Sequence, residues 1–361
     1  MSEPRMISRN TEYLLIETIR QVGVSNYSLI ARLTGLSAET VRYKVNKQLG
    51  KMGLGILVNI DYAQLGFSMG MLIVKPNPNA GKSWLDRASY LMLQSKGMGV
   101  EKYVCLYAIP YRFKKKYYDS ITDLQKLGLI ESFEFQEISW IRYPPMRSEF
   151  FDLDTGKWNV DWKRVDLTTS EMGPTSHLVN QDAKVDYIDA KILKFMQEDP
   201  TISPAKIAQK LGANARTVRY HYAEHVQKGK LILGNNVRWI KGITPGKAPE
   251  IMQIAIVFRN LESEELNSVR KLCNKIPFTL IEASFETRGY FAFLDIPLEY
   301  FHETMSYIDR NTSTYGSKKE ITILDPTKTI FLNLSDELYD KERGWRLMPV
   351  QMTPTIADEK D

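Results

Sequence analysis

The sequence predicts an α+β protein, and three observations carry that expectation. The word Thr-Val-Arg-Tyr stands at 40–43 and again at 217–220. A lone tetrapeptide match is an ordinary coincidence in a long chain, but here the flanks keep the offset of 177: Ile30-Ala31 falls on Ile207-Ala208, Gly35 on Gly212 and Ala38 on Ala215. Further along, YVCLYAIP (Tyr103–Pro110) and YFAFLDIP (Tyr290–Pro297) are both strand-like, both end in Ile-Pro, and both lead into amphipathic helical stretches. Finally, 43% apolar against 25% charged residues over 361 positions is the balance of a globular chain that can bury ordinary cores.

Taken in order, each copy reads helix, helix, turn, helix, strand. YLLIETIR (13–20) and YIDAKILK (187–194) space their apolar residues for a buried helix face, and the second copy has three additional residues before its next helix. Gly35 and Gly212 suit the tight turn between two steeply packed helices, and Ser37 and Asn214 are good N-caps for the helix that follows. LGKMGLGI (49–56) and VQKGKLIL (226–233) run a helix end into a strand, which makes each unit a helix-turn-helix with a wing. Downstream of the second copy come a strand (251–258), a helix (263–274), two strands (278–286 and 290–296), a helix (298–309) and a strand (320–324). That order is a βαββαβ, ferredoxin-like unit. The first copy is less regular, since 83–97 reads equally as one helix or as a short helix and a strand. FFDL (150–153) before Trp158 and Trp162, and FLNL (331–334) before Trp345, read as an extra strand or arm with an aromatic anchor.

The expected fold is therefore two repeats of a winged helix-turn-helix followed by a βαββαβ ferredoxin-like unit. The divisions fall at 1–66 (first winged unit), 67–143 (first ferredoxin-like unit), 144–184 (arm and linker), 185–245 (second winged unit), 246–350 (second ferredoxin-like unit with its arm) and 351–361 (frayed tail). TTSEMGPTSHLVNQDA, with Gly173-Pro174 inside it, has the polar composition of a linker.

Charge gathers on the two winged units. Residues 28–59 hold Arg32, Arg42, Lys44, Lys47 and Lys51 against Glu39 alone, and residues 203–241 hold eight basic residues against Glu224 alone. The chain's net charge is only +5, so the remainder is acidic, and the basic windows have the distribution expected of phosphate contact. A solvated helix face is the plainer reading of such a run. The third helix of such a motif approaches base edges with its N-terminal half. The candidates for DNA contact are accordingly Ser37, Glu39, Thr40, Arg42, Tyr43, Lys44 and Lys47, and Asn214, Arg216, Thr217, Arg219, Tyr220, His221 and Lys228. Arg238 joins them from the wing, with Asn59, Asn235 and Asn236 beside it, as backbone or minor-groove contacts. Val41 and Val218 should face the core with Val45 and Tyr222, leaving Arg42, Arg219, Lys44 and His221 toward solvent. Tyr43 and Tyr220 stand where an aromatic is more commonly a packing residue. Lys114, Lys115 and Lys116 read as a solvated helix face or a supplementary backbone contact.

Enzyme signatures are thin. There is no G-x-x-x-x-G-K-[ST] loop and no G-x-S-x-G elbow. His221-Tyr222-Ala223-Glu224-His225 fits the H-x-x-E-H pattern of certain zinc peptidases, but its counterpart is Lys44-Val45-Asn46-Lys47-Gln48 and no third ligand is indicated. The expectation is no metal, no cofactor and no enzyme. Cys105 and Cys273, the two cysteines, suit buried thiols. No run of about 18 apolar residues occurs, and the start MSEPRMISRNTEY lacks the apolar core of a signal peptide. A cytoplasmic, nucleoid-associated protein is expected.

A wing leading through NIDYAQLGF (59–67) into a βαββαβ unit is similar to the Lrp/AsnC, or feast/famine, family of transcriptional regulators. SAETVRYKVNKQLGKMGLG (37–55) resembles that family's recognition helix with its Leu-x-x-x-Gly turn, and the resemblance covers most of the chain twice. It implies a sequence-specific regulator that binds double-stranded DNA, with ferredoxin-like units that dimerise by sheet pairing and often hold amino acids or other small effectors. For this chain it implies a homodimer or an internal pseudo-dimer. Where family members that bind amino acids carry a Gly-x-[YF]-Asp turn, this chain has Arg288-Gly289-Tyr290-Phe291 and Glu101-Lys102-Tyr103, so no effector residues carry over. Relatives of the fold include haem-pathway decarboxylases, which makes an enzyme on the same scaffold an alternative, beside an architectural DNA-binding protein of low specificity.

Overall fold

The computed structural model describes residues 3–80, 89–153, 155–167, 175–177, 185–240 and 249–347. The first head consists of helices Glu3–Val22 and Tyr27–Thr34, then Ala38–Tyr43, which continues through a π-helical turn, Lys44–Gln48, into Leu49–Lys51. Strand β1 (Leu54–Ile60) follows as the wing, and then β2 (Phe67–Pro76), β3 (Leu91–Lys96), β4 (Tyr103–Pro110), helix Lys114–Lys126 and β5 (Ile130–Arg142). Short strands β6 (Phe151–Asp152), β7 (Lys157–Trp158) and β8 (Thr175–His177) lead to the second head. This has helices Tyr187–Glu198 and Pro204–Leu211, then Ala215–Tyr220 running into the π-helical His221–Lys228, and wing β9 (Ile232–Trp239). After it come β10 (Ile251–Phe258), helix Ser263–Lys275, β11 (Thr279–Phe285), β12 (Tyr290–Pro297), helix Phe301–Thr312 and β13 (Lys319–Leu324). The chain ends in β14 (Ile330–Phe331), β15 (Tyr339–Asp340) and β16 (Gly344–Trp345).

The two halves share one sheet, ordered β13-β10-β12-β11-β5-β2-β4-β3-β14, with β8 on the flank of β5. Each half contributes four antiparallel strands in the same relative order, and β11 joins β5 antiparallel, with Glu282 opposite Arg142. The outer strands then meet, since Gly97 bridges Leu324 and Met98 N–H donates to the Ile323 carbonyl (2.8 Å). This brings the two ends of the sheet into contact at 96–98 and 323–325, so that the sheet curves into a barrel-like wall. Period-two alternation sorts the core: Ile254, Ile256 and Phe258 pack with Val269, Cys273 and Tyr307 of the outer helices, whereas Ala255 and Val257 belong to the cluster that holds Leu72, Leu106 and Ile138.

The ambiguous stretch at 83–97 contains strand β3, and the part that would be its helix lies outside the described residues, as does the tail from 348. The linker differs from expectation at Thr175–His177, which pairs with Trp140–Arg142 of β5 beyond the point where β2 ends. The arms are anchored by aromatics, each on the opposite half: Trp158 packs edge-on against Phe278 (5.0 Å) and Trp345 against Phe67 (4.8 Å). Cys105 and Cys273 are buried free thiols. Among the described residues no helix is long and apolar enough to cross a membrane.

Candidate nucleic-acid interface

Capping chemistry sets the recognition helices in place. Gly35 (φ 71°) and Gly212 (φ 60°) both adopt the left-handed conformation that ends the second helix of each head, where an L side chain is strained. Ser37 then accepts the Thr40 N–H (3.0 Å) and Asn214 the Arg216 N–H (2.8 Å), so both candidates act first as N-caps. Val41, Val45 and Leu49 form a buried stripe against Leu15, Ile16 and Ile30. Val218 and Val226 do the same against Ile192, Leu193 and Ile207. Tyr222 is half-buried, and its hydroxyl meets Ser25 Oγ at 2.8 Å, linking the second recognition helix to the first head.

On the opposite face the structure gathers Glu39, Arg42, Tyr43 and Lys47 in the first head, and Arg216, Thr217, Arg219, Tyr220 and Lys228 in the second, all exposed. Thr40 is half-buried. Tyr43 and Tyr220 are 54% and 57% exposed, so neither packs into a core as the sequence spacing suggested. The Arg42 guanidinium lies 5.7 Å from the Tyr27 ring centre, and Lys228 pairs with Glu224 one turn away (2.7 Å). Both are surface contacts that a phosphate can displace at small cost. Lys115 pairs with Asp119 on a solvated helix face, whereas Lys114 is half-buried and reaches across to Glu137 of β5.

Three candidates lie elsewhere. Lys44 and His221 follow the buried valine by three residues, which on a helix is the same face, and so they turn inward. The Lys44 ammonium pairs with Glu12, a buried carboxylate on the first helix that also accepts from Gln48 (3.1 Å). His221 is buried, with Nδ1 3.0 Å from Asp189 Oδ1, and His225 Nδ1 lies 3.0 Å from Asp189 Oδ2. These two imidazoles, Asp189 and Asp186 form the group able to hold a metal ion among the described residues. The sequence reading missed Asp186 and Asp189, although Glu12 in the equivalent place was a signal.

Arg238 is the third. The wings β1 and β9 pair antiparallel with each other, from Leu54 opposite Trp239 to Ile60 opposite Ile232, so their polar backbone is already engaged. Arg238 is turned inward onto Asp295 (3.4 Å), and burial pulls its guanidinium down to about 10 while pushing the Asp295 carboxyl above its usual range. Asn236 is buried and donates to the Tyr143 carbonyl (3.1 Å). Arg238 and Asp295 line a cavity of about 310 Å³ between the paired wings and the mouth of the sheet, with Tyr62, Tyr143, Gln197 and Phe331. The lining residue Asn59 has a buried side-chain N–H₂ without a hydrogen-bond partner. A cavity of this size is at the lower end for small-molecule sites.

Two capped helices, each followed by a wing strand and carried on a shared α+β scaffold, give the chain a winged helix-turn-helix fold. The family model described as "Winged helix-turn-helix DNA-binding" matches residues 185–230. Two solved structures of the siroheme decarboxylase NirDL, one of them in co-complex with an iron-uroporphyrin III analogue, align over 91% of this chain and 95% of theirs, with 9% identity and a TM-score of 0.51. That likeness is one of fold. AsnC of E. coli aligns with 36% of this chain and 90% of its own at 17% identity and a TM-score of 0.27. No curated protein matches the sequence.

Proposed function

We propose that the chain is a sequence-specific regulator of transcription that binds double-stranded DNA through two recognition helices, which would place it on the nucleoid. The observation carrying this is the repetition of an exposed Arg-Tyr pair, Arg42-Tyr43 and Arg219-Tyr220, at the same turn of two capped helices whose inner faces are fully used. Arginine can pair in two hydrogen bonds with guanine, and the neighbouring Lys47, Arg216 and Lys228 suit phosphates. Residues 1–66 and 185–245 are the heads in this reading, and 67–143 and 246–350 the scaffold. Pairing of β1 with β9 and of β5 with β11 supplies within one chain the two-headed arrangement that a dimer would otherwise provide. The cavity beside the wings is the place for a small effector, because its walls include both wings. DNase footprinting over fragments of the source genome tests the proposal. Discrete protected sites are expected; uniform, salt-labile coverage would instead make this an architectural protein.

The NirDL likeness over most of both chains favours one second reading, a tetrapyrrole decarboxylase on the same scaffold. Against it stands the cavity, whose lining includes a single guanidinium already paired with a carboxylate, whereas an acidic tetrapyrrole calls for several cations. A shifted visible spectrum on mixing the protein with iron-uroporphyrin would favour the enzyme.

A further inference from the structure

We infer that the second head carries a structural metal site for a divalent cation of the zinc type, formed by Asp186, Asp189, His221 and His225. Both imidazoles come from one face of the recognition helix, one turn apart, and both carboxylates from the N-terminus of the helix Tyr187–Glu198. The four donor atoms lie within 4.8 Å of one another. His221 Nδ1 is 3.0 Å from Asp189 Oδ1 and 3.4 Å from Asp186 Oδ2, and His225 Nδ1 is 3.1 Å from Asp189 Oδ1. Four N and O ligands held tetrahedrally at about 2.0–2.1 Å from zinc stand roughly 3.3–3.4 Å from each other, so the His–Asp spacings of 3.0, 3.1 and 3.4 Å are already at ligand distance, while separations of up to 4.8 Å contract as the cluster closes on an ion.

Comparison of the heads shows why an ion belongs here. In the first head the same architecture, an acid from the first helix facing two recognition-helix residues one turn apart, is Glu12 with Lys44 and Gln48. There the lysine brings a permanent positive charge to the buried carboxylate. In the second head Asp189 is 0% exposed and its ion pairs are with imidazoles, which are charged only when protonated. A buried carboxylate is costly without a compensating charge, and a divalent ion bound by two neutral imidazoles supplies it. His225 is 35% exposed at its side chain and Asp186 50%, which leaves a path from solvent.

Glu224, which would be the base in a zinc peptidase, pairs with Lys228 and lies outside the cluster. Four protein ligands with no open position make a structural site, and two histidines with two carboxylates suit zinc, cobalt or nickel. The ion would fasten the recognition helix to the first helix of its head, as the Lys44–Glu12 pair does in the other. The site stands whether or not that helix reads DNA.

The test uses the full chain without an affinity tag, which contains four histidines in all. After chelator treatment the protein is titrated with cobalt chloride and then with zinc chloride, following the visible absorption of cobalt and the thermal midpoint. One equivalent per chain, a four-coordinate cobalt spectrum displaced by zinc, and a zinc-dependent rise in midpoint are expected. His225→Ala should weaken binding by more than roughly 100-fold, the upper range for loss of even an outer partner of a ligand. Because His221 is buried and its removal risks misfolding, Asp186→Asn serves as the second variant, and it should weaken binding while leaving the far-ultraviolet spectrum unchanged. No stoichiometric binding at 100 μM metal, or binding that both variants retain at parental affinity, overturns the inference.

Discussion

Lys44 and Lys47 are one turn apart on the same helix yet face different tasks, and the buried stripe decides which. Lys44 lies three residues after Val41 and neutralises Glu12, whereas Lys47 is exposed. Lys44→Ala should therefore lower folding stability, by about 1–3 kcal/mol for a buried acceptor left without its partner, and denaturant unfolding checks it. Lys47→Ala should leave stability within about 0.5 kcal/mol and reduce the salt slope of DNA binding by about one. The caps, the glycine turns and the valine stripes were legible in the sequence, because each depends on neighbours within a few positions. The fates of Lys44, His221 and Arg238 were not, because each is set by an acid distant in sequence: Glu12, Asp189 and Asp295.

The β5–β11 pairing joins the two halves, and two acidic residues of the second half shape it. Buried Glu282 pairs with buried Arg142 directly opposite. Removing one member leaves a buried charge unpaired, so Arg142→Ala should cost about 3–5 kcal/mol, measured as a shift in the denaturant midpoint at unchanged slope. Nearby, burial and the Glu137 carboxylate hold the Glu286 carboxyl above its usual value. Between its unfolded and folded titration points the native state binds more protons than the unfolded chain, so this group's contribution to stability falls as pH rises through that window. Glu286→Gln should remove that slope and favour the variant at neutral pH, by under about 1 kcal/mol given the exposure of the site. An unchanged difference between pH 4 and pH 7 would count against this assignment. Strand identity was legible from Ile-Pro endings and alternation, but which strand meets which was not, since β11 finds β5 some 140 residues earlier.

Across the molecule, the wings pair with each other, the sheet halves join, and each arm docks its tryptophan on the opposite half. This reciprocity holds both recognition helices on a common base. It also explains why two stretches with matching letters become one connected structure rather than two beads: the units are visible in the sequence, while their mutual contacts are non-local. Under the proposed function, Arg42 and Arg219 read DNA together. Fluorescence anisotropy on a footprinted duplex at moderate salt, comparing the parent with Arg42→Ala, Arg219→Ala and the double variant, tests it most directly. Each single change should cost about 1–3 kcal/mol of specific binding and the double change more than either. Equal affinity of the double variant and the parent, with both fully folded, would contradict it.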